Sequence, residues 1–265
     1  MKIGFLITAR LKSTRLPLKL LLDLNGKSVV ERVIERCKKV REISEVVLCT
    51  STNPQDKPLV DIAKSNDIYY YLGSELDVLQ RLSDAAEFYG LDYIINITGE
   101  NPLFSIYHAN LVVDQAKREK NDFIHIDGLP IGCAVYGLRP EALRTICEIK
   151  KEVDTEMWGS LINRPKIFDV HKIEAADSFR KEVLRITTDY VEDYRFIQKI
   201  YNFFQPSAIP SYQQVIDILR ENPDLEKIHQ HRNQLSLDKE VIRRIDEFYS
   251  NNLNWIKEIK DKYYN

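Results

Sequence analysis

The residues best suited to chemistry lie close together near the N-terminus. The stretch Thr8-Ala9-Arg10-Leu11-Lys12-Ser13-Thr14-Arg15-Leu16-Pro17-Leu18-Lys19 sets down four cations, Arg10, Lys12, Arg15 and Lys19, with the hydroxyls of Ser13 and Thr14 among them. The whole chain carries a net charge of -2, so it has no general excess of cations to scatter here. Guanidinium forks and ammonium groups gathered in one loop suit the oxygens of a polyphosphate. A merely solvated basic loop is the alternative. Two acids farther along stand just after expected strands: Glu100 in Gly99-Glu100-Asn101-Pro102 and Asp189 in Thr188-Asp189-Tyr190. Taken singly, Glu100 reads equally as a turn acid and Asp189 as a helix N-cap. Together with the cations they could hold a metal ion beside phosphates.

The elements that must position these groups follow from periodicity. Ile3–Ile7, Val46–Cys49, Ile68–Leu72 and Tyr93–Ile97 are short apolar runs and read as buried strands. Between them lie helical patterns: Val29 to Cys37 after a Ser28 N-cap, a segment with Leu59, Ile62 and Ala63 inward, and Asp77 to Tyr89. Strands alternating with helices predict a parallel sheet covered on both faces, and such sheets bind ligands at the carboxyl ends of their strands. After Gly99 the alternation loosens. Helices are expected from Tyr107 to Lys117, from Pro140 to about Lys150 and from Tyr190 to Phe204. Strands are expected at Phe123–Ile126, Cys133–Tyr136, Ile167–His171 and Val183–Ile186. Pro206 and Pro210 bracket a break, so the expected division is an α/β domain over 1–205 and a helical C-terminal appendage over 206–265, packed on the sheet or on a second subunit.

Composition narrows the function. At 265 residues with 44% hydrophobic side chains, the chain can bury a sizeable core. The near-neutral charge argues against nucleic-acid binding. No apolar run reaches membrane-spanning length, and Ile3–Ile7 is too short for a signal-peptide core. Cys37, Cys49, Cys133 and Cys147 are far apart in apolar contexts and read as free thiols in a reducing cytoplasm. His229 and His231 could hold a metal, but two histidines in a polar stretch are more often solvated.

The loop motif Ala-Arg-x-x-Ser-Thr-Arg-Leu-Pro-x-Lys resembles the opening loop of the sugar cytidylyltransferases, nearest to their spore-coat polysaccharide branch. That branch carries Met-Gly where this chain has Leu11-Lys12, and Gly where it has Leu18, so any step needing positive φ is strained here. Further matches are Ser51-Thr52-Asn53-Pro54, Gly73-Ser74-Glu75-Leu76-Asp77-Val78-Leu79-Gln80-Arg81 and Arg185-Ile186-Thr187-Thr188-Asp189. The resemblance implies a three-layer, Rossmann-like, mostly parallel sheet of the nucleotide-diphospho-sugar transferase type. It implies CTP and a small anionic acceptor as substrates, with Mg²⁺ on Glu100 and Asp189, Glu100 replacing the family's aspartate. Arg10, Arg15 and Lys19 would complete the catalytic set. Ala9, Arg10, Ser13, Lys19, Ser51, Ser74, Asp77 and Arg81 would contact the nucleotide. The segment from Ile131 to Arg139 departs from the branch at the place where relatives carry acceptor-facing residues, which implies a reshaped acceptor pocket. The polar-aromatic run from Asp154 to Gly159 could touch the acceptor, but a surface helix start is the stronger reading. The expected activity is CTP-dependent activation of a sugar acid as its CMP derivative, with pyrophosphate release, for surface polysaccharide or glycoconjugate synthesis. The enzyme would be cytoplasmic, and a homodimer is compatible with the sequence. A non-catalytic nucleotide-binding subunit and a nucleotide-sugar-dependent glycosyltransferase are the rival readings.

Overall fold

The computed structural model describes residues 1–180, 184–228 and 236–264. Among them seven strands form one sheet: β1 (Ile3–Thr8), β2 (Glu45–Ser51), β3 (Tyr69–Gly73), β4 (Tyr93–Thr98), β5 (Phe123–Asp127), β6 (Tyr136–Leu138) and β7 (Val170–Glu174). Their order is β3-β2-β1-β4-β6-β5-β7. The pairings are parallel except those of β6, which runs antiparallel to β4 and β5. All six residues of β1 are buried, as befits a parallel strand covered on both faces. The order reverses at β1, between β2 and β4, so the loops leaving β1 and β4 open a crevice at the carboxyl edge.

The helices are α1 (Val29–Cys37), α2 (Lys57–Ser65), α3 (Val78–Phe88), α4 (Ile106–Glu119), α5 (Pro140–Ile149), α6 (Gly159–Ile162), α7 (Val191–Tyr201), α8 (Tyr212–Glu221), α9 (Lys239–Asn251) and α10 (Leu253–Tyr264). Helix α1 starts where Ser28 and Glu31 close a capping box, and its apolar stripe of Val29, Val30, Val33, Ile34 and Cys37 is buried. One core cluster joins β1 and β4 to α1, α4, α7 and α8; the other joins the opposite face to α3, α5, α6, α9 and α10. The protein is therefore three-layered, with a mostly parallel sheet between helices. The segments after Gln205 lie against both faces: Tyr212, Val215, Ile216 and Leu219 enter the first cluster, and Ile245, Tyr249 and Ile256 the second. Lys260 and Tyr264 of α10 both reach the buried carboxylate of Asp122, at 2.7 and 2.6 Å. Among the described residues no helix is long and apolar enough to cross a membrane.

The expected strand at Cys133–Tyr136 is displaced to Tyr136–Leu138. Gly132 has φ +85°, and the Cys133 N–H donates to the Pro130 carbonyl at 3.0 Å, so this stretch turns instead of extending. The expected strand at Ile167–His171 begins later, at Val170, because Ile167 and Phe168 fold back onto the Arg164 carbonyl. Of the expected strand at Val183–Ile186, Val183 lies outside the described residues, and Arg185 makes one isolated bridge with Ile131. His229 and His231 also lie outside the described residues.

Candidate active site

The basic loop leaves β1 and is fastened at its start. The Ala9 N–H donates to the Cys49 carbonyl (3.1 Å) and the Leu11 N–H to Asp56 Oδ1 (2.7 Å). The Ser51 hydroxyl donates to the other Asp56 oxygen at 2.5 Å, so Ser51 supports the loop through Asp56. Ser13 Oγ accepts from the Leu16 N–H at 3.3 Å. Leu18, where the resembling branch has glycine, adopts φ 53° and ψ 26°, just before a short turn of 3-10 helix over Lys19–Leu21. A left-handed backbone costs an L-residue roughly 1–2 kcal/mol. The anticipated strain is present, and the loop still delivers Lys19 into the crevice.

Four of the expected residues meet there. Lys19 Nζ lies 2.8 Å from Asp189 Oδ1 and 3.9 Å from Glu100 Oε1. Arg15 Nη2 lies 3.1 Å from the same Asp189 oxygen, with its guanidinium over the Tyr190 ring at 5.2 Å. The acid-bearing segments are joined through backbone, since the Thr188 N–H donates to the Glu100 carbonyl at 2.9 Å. The segment after Glu100 is pinned from below: the Tyr201 hydroxyl donates to the Pro102 carbonyl (2.8 Å), and the buried Arg36 Nε donates to the Phe104 carbonyl (2.9 Å). Asp189 is set by its own neighbours. Asp193 Oδ2 accepts from the Asp189 and Tyr190 N–H groups (3.2 and 3.1 Å), while buried Arg185 spans Asp193 and Asp189 at 3.2 and 3.5 Å.

The charges of this group differ sharply. Burial works to raise the Asp189 carboxyl, but Lys19, Arg15 and Arg185 outweigh it and hold it below the ordinary carboxylate range. Burial likewise disfavours the Lys19 ammonium, and Glu100 and Asp189 together more than offset this. Glu100 goes the other way. Burial pushes its carboxyl above the ordinary value, Lys19 at 3.9 Å opposes this incompletely, and Asp189 adds to it.

Arg10 points elsewhere. Its guanidinium donates to the Glu75 carbonyl (2.6 Å) and to Glu156 Oε2 (2.8 Å). Lys12 pairs with the Glu75 carboxylate at 3.1 Å. On the β2–β3 side, Ser74 Oγ accepts from the Asp77 N–H at 3.1 Å, and Arg81 is buried with Nη1 on the Ser74 carbonyl at 2.8 Å. Asp77 caps α3 through the Gln80 N–H (3.1 Å), accepts from Thr155 Oγ1 (2.9 Å) and pairs with Lys150. Sequence reasoning did not find the anchoring parts of Asp56, Glu75, Glu156 and Asp193. Asp193 carried a signal, an acid at the third position of a helix, the place of the reciprocal cap. The partners of Glu75 and Glu156 come from distant segments, and no local pattern marks them.

Glu100 and Asp189 suit a hard divalent cation. They share one ammonium, and Mg²⁺ is commonly bound by one or two carboxylates together with substrate phosphates rather than by a full protein cage. Among the described residues no cluster of three or more His, Cys, Asp or Glu could enclose a metal alone, in keeping with a site that phosphate completes.

The sequence profile of the cytidylyltransferase family matches residues 5–238. The chain belongs to this family. It is a nucleotidyltransferase. The spore coat polysaccharide biosynthesis protein SpsF of Bacillus subtilis is 26% identical over 227 residues, 83% of this cytidylyltransferase and 95% of that protein. The 3-deoxy-manno-octulosonate cytidylyltransferase of Chloroherpeton thalassium is 42% identical over 105 residues, covering 39% of this chain and 41% of the relative. The solved structure of a cytidylyltransferase from Leptospira borgpetersenii serovar Hardjo-bovis superposes with a TM-score of 0.78 at 26% identity, over 89% of this enzyme and all of that chain.

Proposed function

We propose that the enzyme transfers the cytidylyl group of CTP to an oxygen of an anionic sugar, giving the CMP derivative and pyrophosphate. The observation that carries this reading is the meeting of Arg15 and Lys19 with Glu100 and Asp189 at the carboxyl edge, where the strand order reverses. Without nucleotide, Arg15 and Lys19 are occupied by Asp189. An arriving triphosphate offers them stronger acceptors, so they turn from the acid to the β- and γ-phosphates. There they neutralise the charge that grows on the leaving pyrophosphate. Lys19 is nearly enclosed, so its charge acts in a medium of low polarity, where it counts for more. Glu100 and Asp189 would hold a divalent cation, Mg²⁺ by family resemblance, which when bound supplies charge neutralisation and lowers the acceptor's pKa. Arg10 would join the phosphates by exchanging Glu156 for them. Ser51, Ser74, Asp77 and Arg81 shape the two loops on the β2–β3 side, which would take ribose and cytosine; the N–H groups of Ala9 and Ser13 are given to the Cys49 and Leu11 carbonyls, so these two residues would shape the phosphate loop. The reaction then needs positioning and charge balance, with no covalent intermediate.

The names of SpsF and of the Chloroherpeton enzyme support a sugar acid as acceptor and polysaccharide or glycoconjugate synthesis as the setting. The four cysteines are free thiols, which suits a reducing cytoplasm. Pyrophosphate release with Mg²⁺, measured for CTP, UTP, ATP and GTP against a panel of sugar acids, tests the proposal. CTP should lead the other triphosphates by at least tenfold in kcat/KM. Equal use of all four would refute the assigned base-side loops.

A further inference from the structure

The family match ends at residue 238, and helix α9 starts at Lys239. Many of the contacts that α9 and α10 make fall on one connection, which runs from the end of α5 through α6 to β7. The Tyr249 hydroxyl donates to the Leu161 carbonyl at 2.8 Å, and the Tyr249 side chain is buried. Arg164 pairs with Asp246 and lays its guanidinium over the Tyr249 ring at 4.9 Å. Exposed Arg244 reaches the Glu152 carboxylate at 3.4 Å, and the Lys151 ammonium lies 5.6 Å from the centre of the Phe248 ring. Lys260 donates to the Ile167 carbonyl at 2.8 Å. Ile245 and Ile256 are buried in the same cluster as Leu161 and Ile162.

The near end of the same connection meets the nucleotide side of the crevice. Buried Thr155 is the joint. Its N–H donates to the Leu76 carbonyl at 3.2 Å, its hydroxyl donates to Asp77 Oδ1 at 2.9 Å, and the same oxygen accepts from the Leu79 N–H at 3.0 Å. Thr155 thus fixes the end of the Gly73–Arg81 loop at three points. Residues 150–158 run as loop and turns between α5 and α6. Such a stretch has no ladder or helical turn of its own to hold it, so its place is set by what it docks on. Arg244 grips it at Glu152 and Tyr249 at Leu161, one on each side of Thr155.

We propose that the α9–α10 hairpin braces the nucleotide site, with Tyr249 and Arg244 as positioning residues that hold Thr155 against the Leu76–Leu79 loop. A loop ordered in advance spares the nucleotide that cost on binding, so loosening the brace weakens CTP binding without touching any reacting group. This rests on the assignment of the β2–β3 loops to the nucleotide. The double variant Tyr249→Phe/Arg244→Ala keeps the buried ring and removes one hydroxyl and one exposed guanidinium. Amide hydrogen exchange at Thr155 and Leu79 should quicken about fivefold or more, while β1 exchanges as before. Calorimetric titration with CTP and Mg²⁺ should show Kd raised about threefold or more, and in a Thr155→Val background the same pair should add almost nothing, because its effect passes through that residue. Should the double variant melt early, Tyr249→Phe alone carries the same expectations. Failure of the unsubstituted protein to bind CTP overturns the nucleotide reading and the brace's role with it. Unchanged exchange at Thr155 and Leu79 overturns the brace alone. A lower Tm with an unchanged CTP Kd, or an equal rise in Kd with and without Thr155→Val, does so too, and leaves the hairpin a purely structural cover.

Discussion

Replacing Asp189 by asparagine tests whether the two cations of the basic loop are held in reserve for phosphate. In the nucleotide-free protein Lys19, Arg15 and Arg185 lie 2.8, 3.1 and 3.5 Å from the Asp189 carboxylate. At an effective dielectric constant of about 20, the Lys19 contact alone is worth ~6 kcal/mol of Coulomb energy, and the 3.9 Å contact from Lys19 to Glu100 ~4 kcal/mol. Asparagine forfeits the first and keeps the second. It also relieves the desolvation of one carboxylate, several kcal/mol in itself, and the repulsion between Asp189 and Glu100. The balance is a net loss of about 2 kcal/mol, which lowers the Tm of a chain this size by roughly 4–8 °C. The sign with pH follows from the depressed Asp189 pKa. Its contribution is present above the unfolded value of 3.8 and disappears as pH falls through the lower folded value, so variant and parent should converge in acid. Function should respond in opposite directions. Turnover with Mg²⁺ should vanish, whereas CTP affinity in EDTA should rise about fivefold or more, because two cations are released and one repelling charge is gone. Thermal melts from pH 7 to pH 3 and calorimetric CTP titrations in EDTA read both effects. Unaltered or weaker metal-free CTP binding by Asp189→Asn would refute the exchange of acid for phosphate on Lys19 and Arg15.

Three other substitutions follow from the same geometry. Glu100→Gln should abolish pyrophosphate release yet raise the Tm at neutral pH: a carboxyl held above its ordinary pKa stabilises only below the unfolded value of 4.5, and that stability is lost as pH rises through the folded value, so a lower Tm at pH 7 counts against it. Arg15→Ala should weaken CTP binding by roughly 1.5–3 kcal/mol, the scale of a charge-assisted hydrogen bond, and unchanged affinity by calorimetry removes Arg15 from the phosphate site. Leu18→Gly should remove the left-handed strain at φ 53° and, after the entropy glycine adds to the unfolded chain, stabilise by about 0.5–1 kcal/mol; a falling urea midpoint would show the Leu18 side chain to matter more than its backbone.

The sequence by itself determined the layered α/β plan, because buried parallel strands must be apolar throughout and covering helices must be apolar on one stripe; β1, β2 and β4 and helices α1 and α3 fall where periodicity puts them. It also pointed to Arg15, Lys19, Glu100 and Asp189, through residue type and position after strands together with the family's motifs. Tertiary structure decided what these groups face. Burial and the 2.8 Å approach of Lys19 to Asp189 depend on a sheet order that joins segments 170 residues apart, and that order raises the pKa of the Glu100 carboxyl and lowers that of Asp189. It also turned Arg10 toward Glu156 and gave Asp77 to Lys150 and Thr155. The start of β6 was not legible either. Cys133-Ala134-Val135-Tyr136 has the composition of a strand, but the close approach of Gly132 to the Thr187 backbone forces a turn there. Local preference governs how a segment is made; which distant charge or backbone it must meet is set only once the chain has closed on itself.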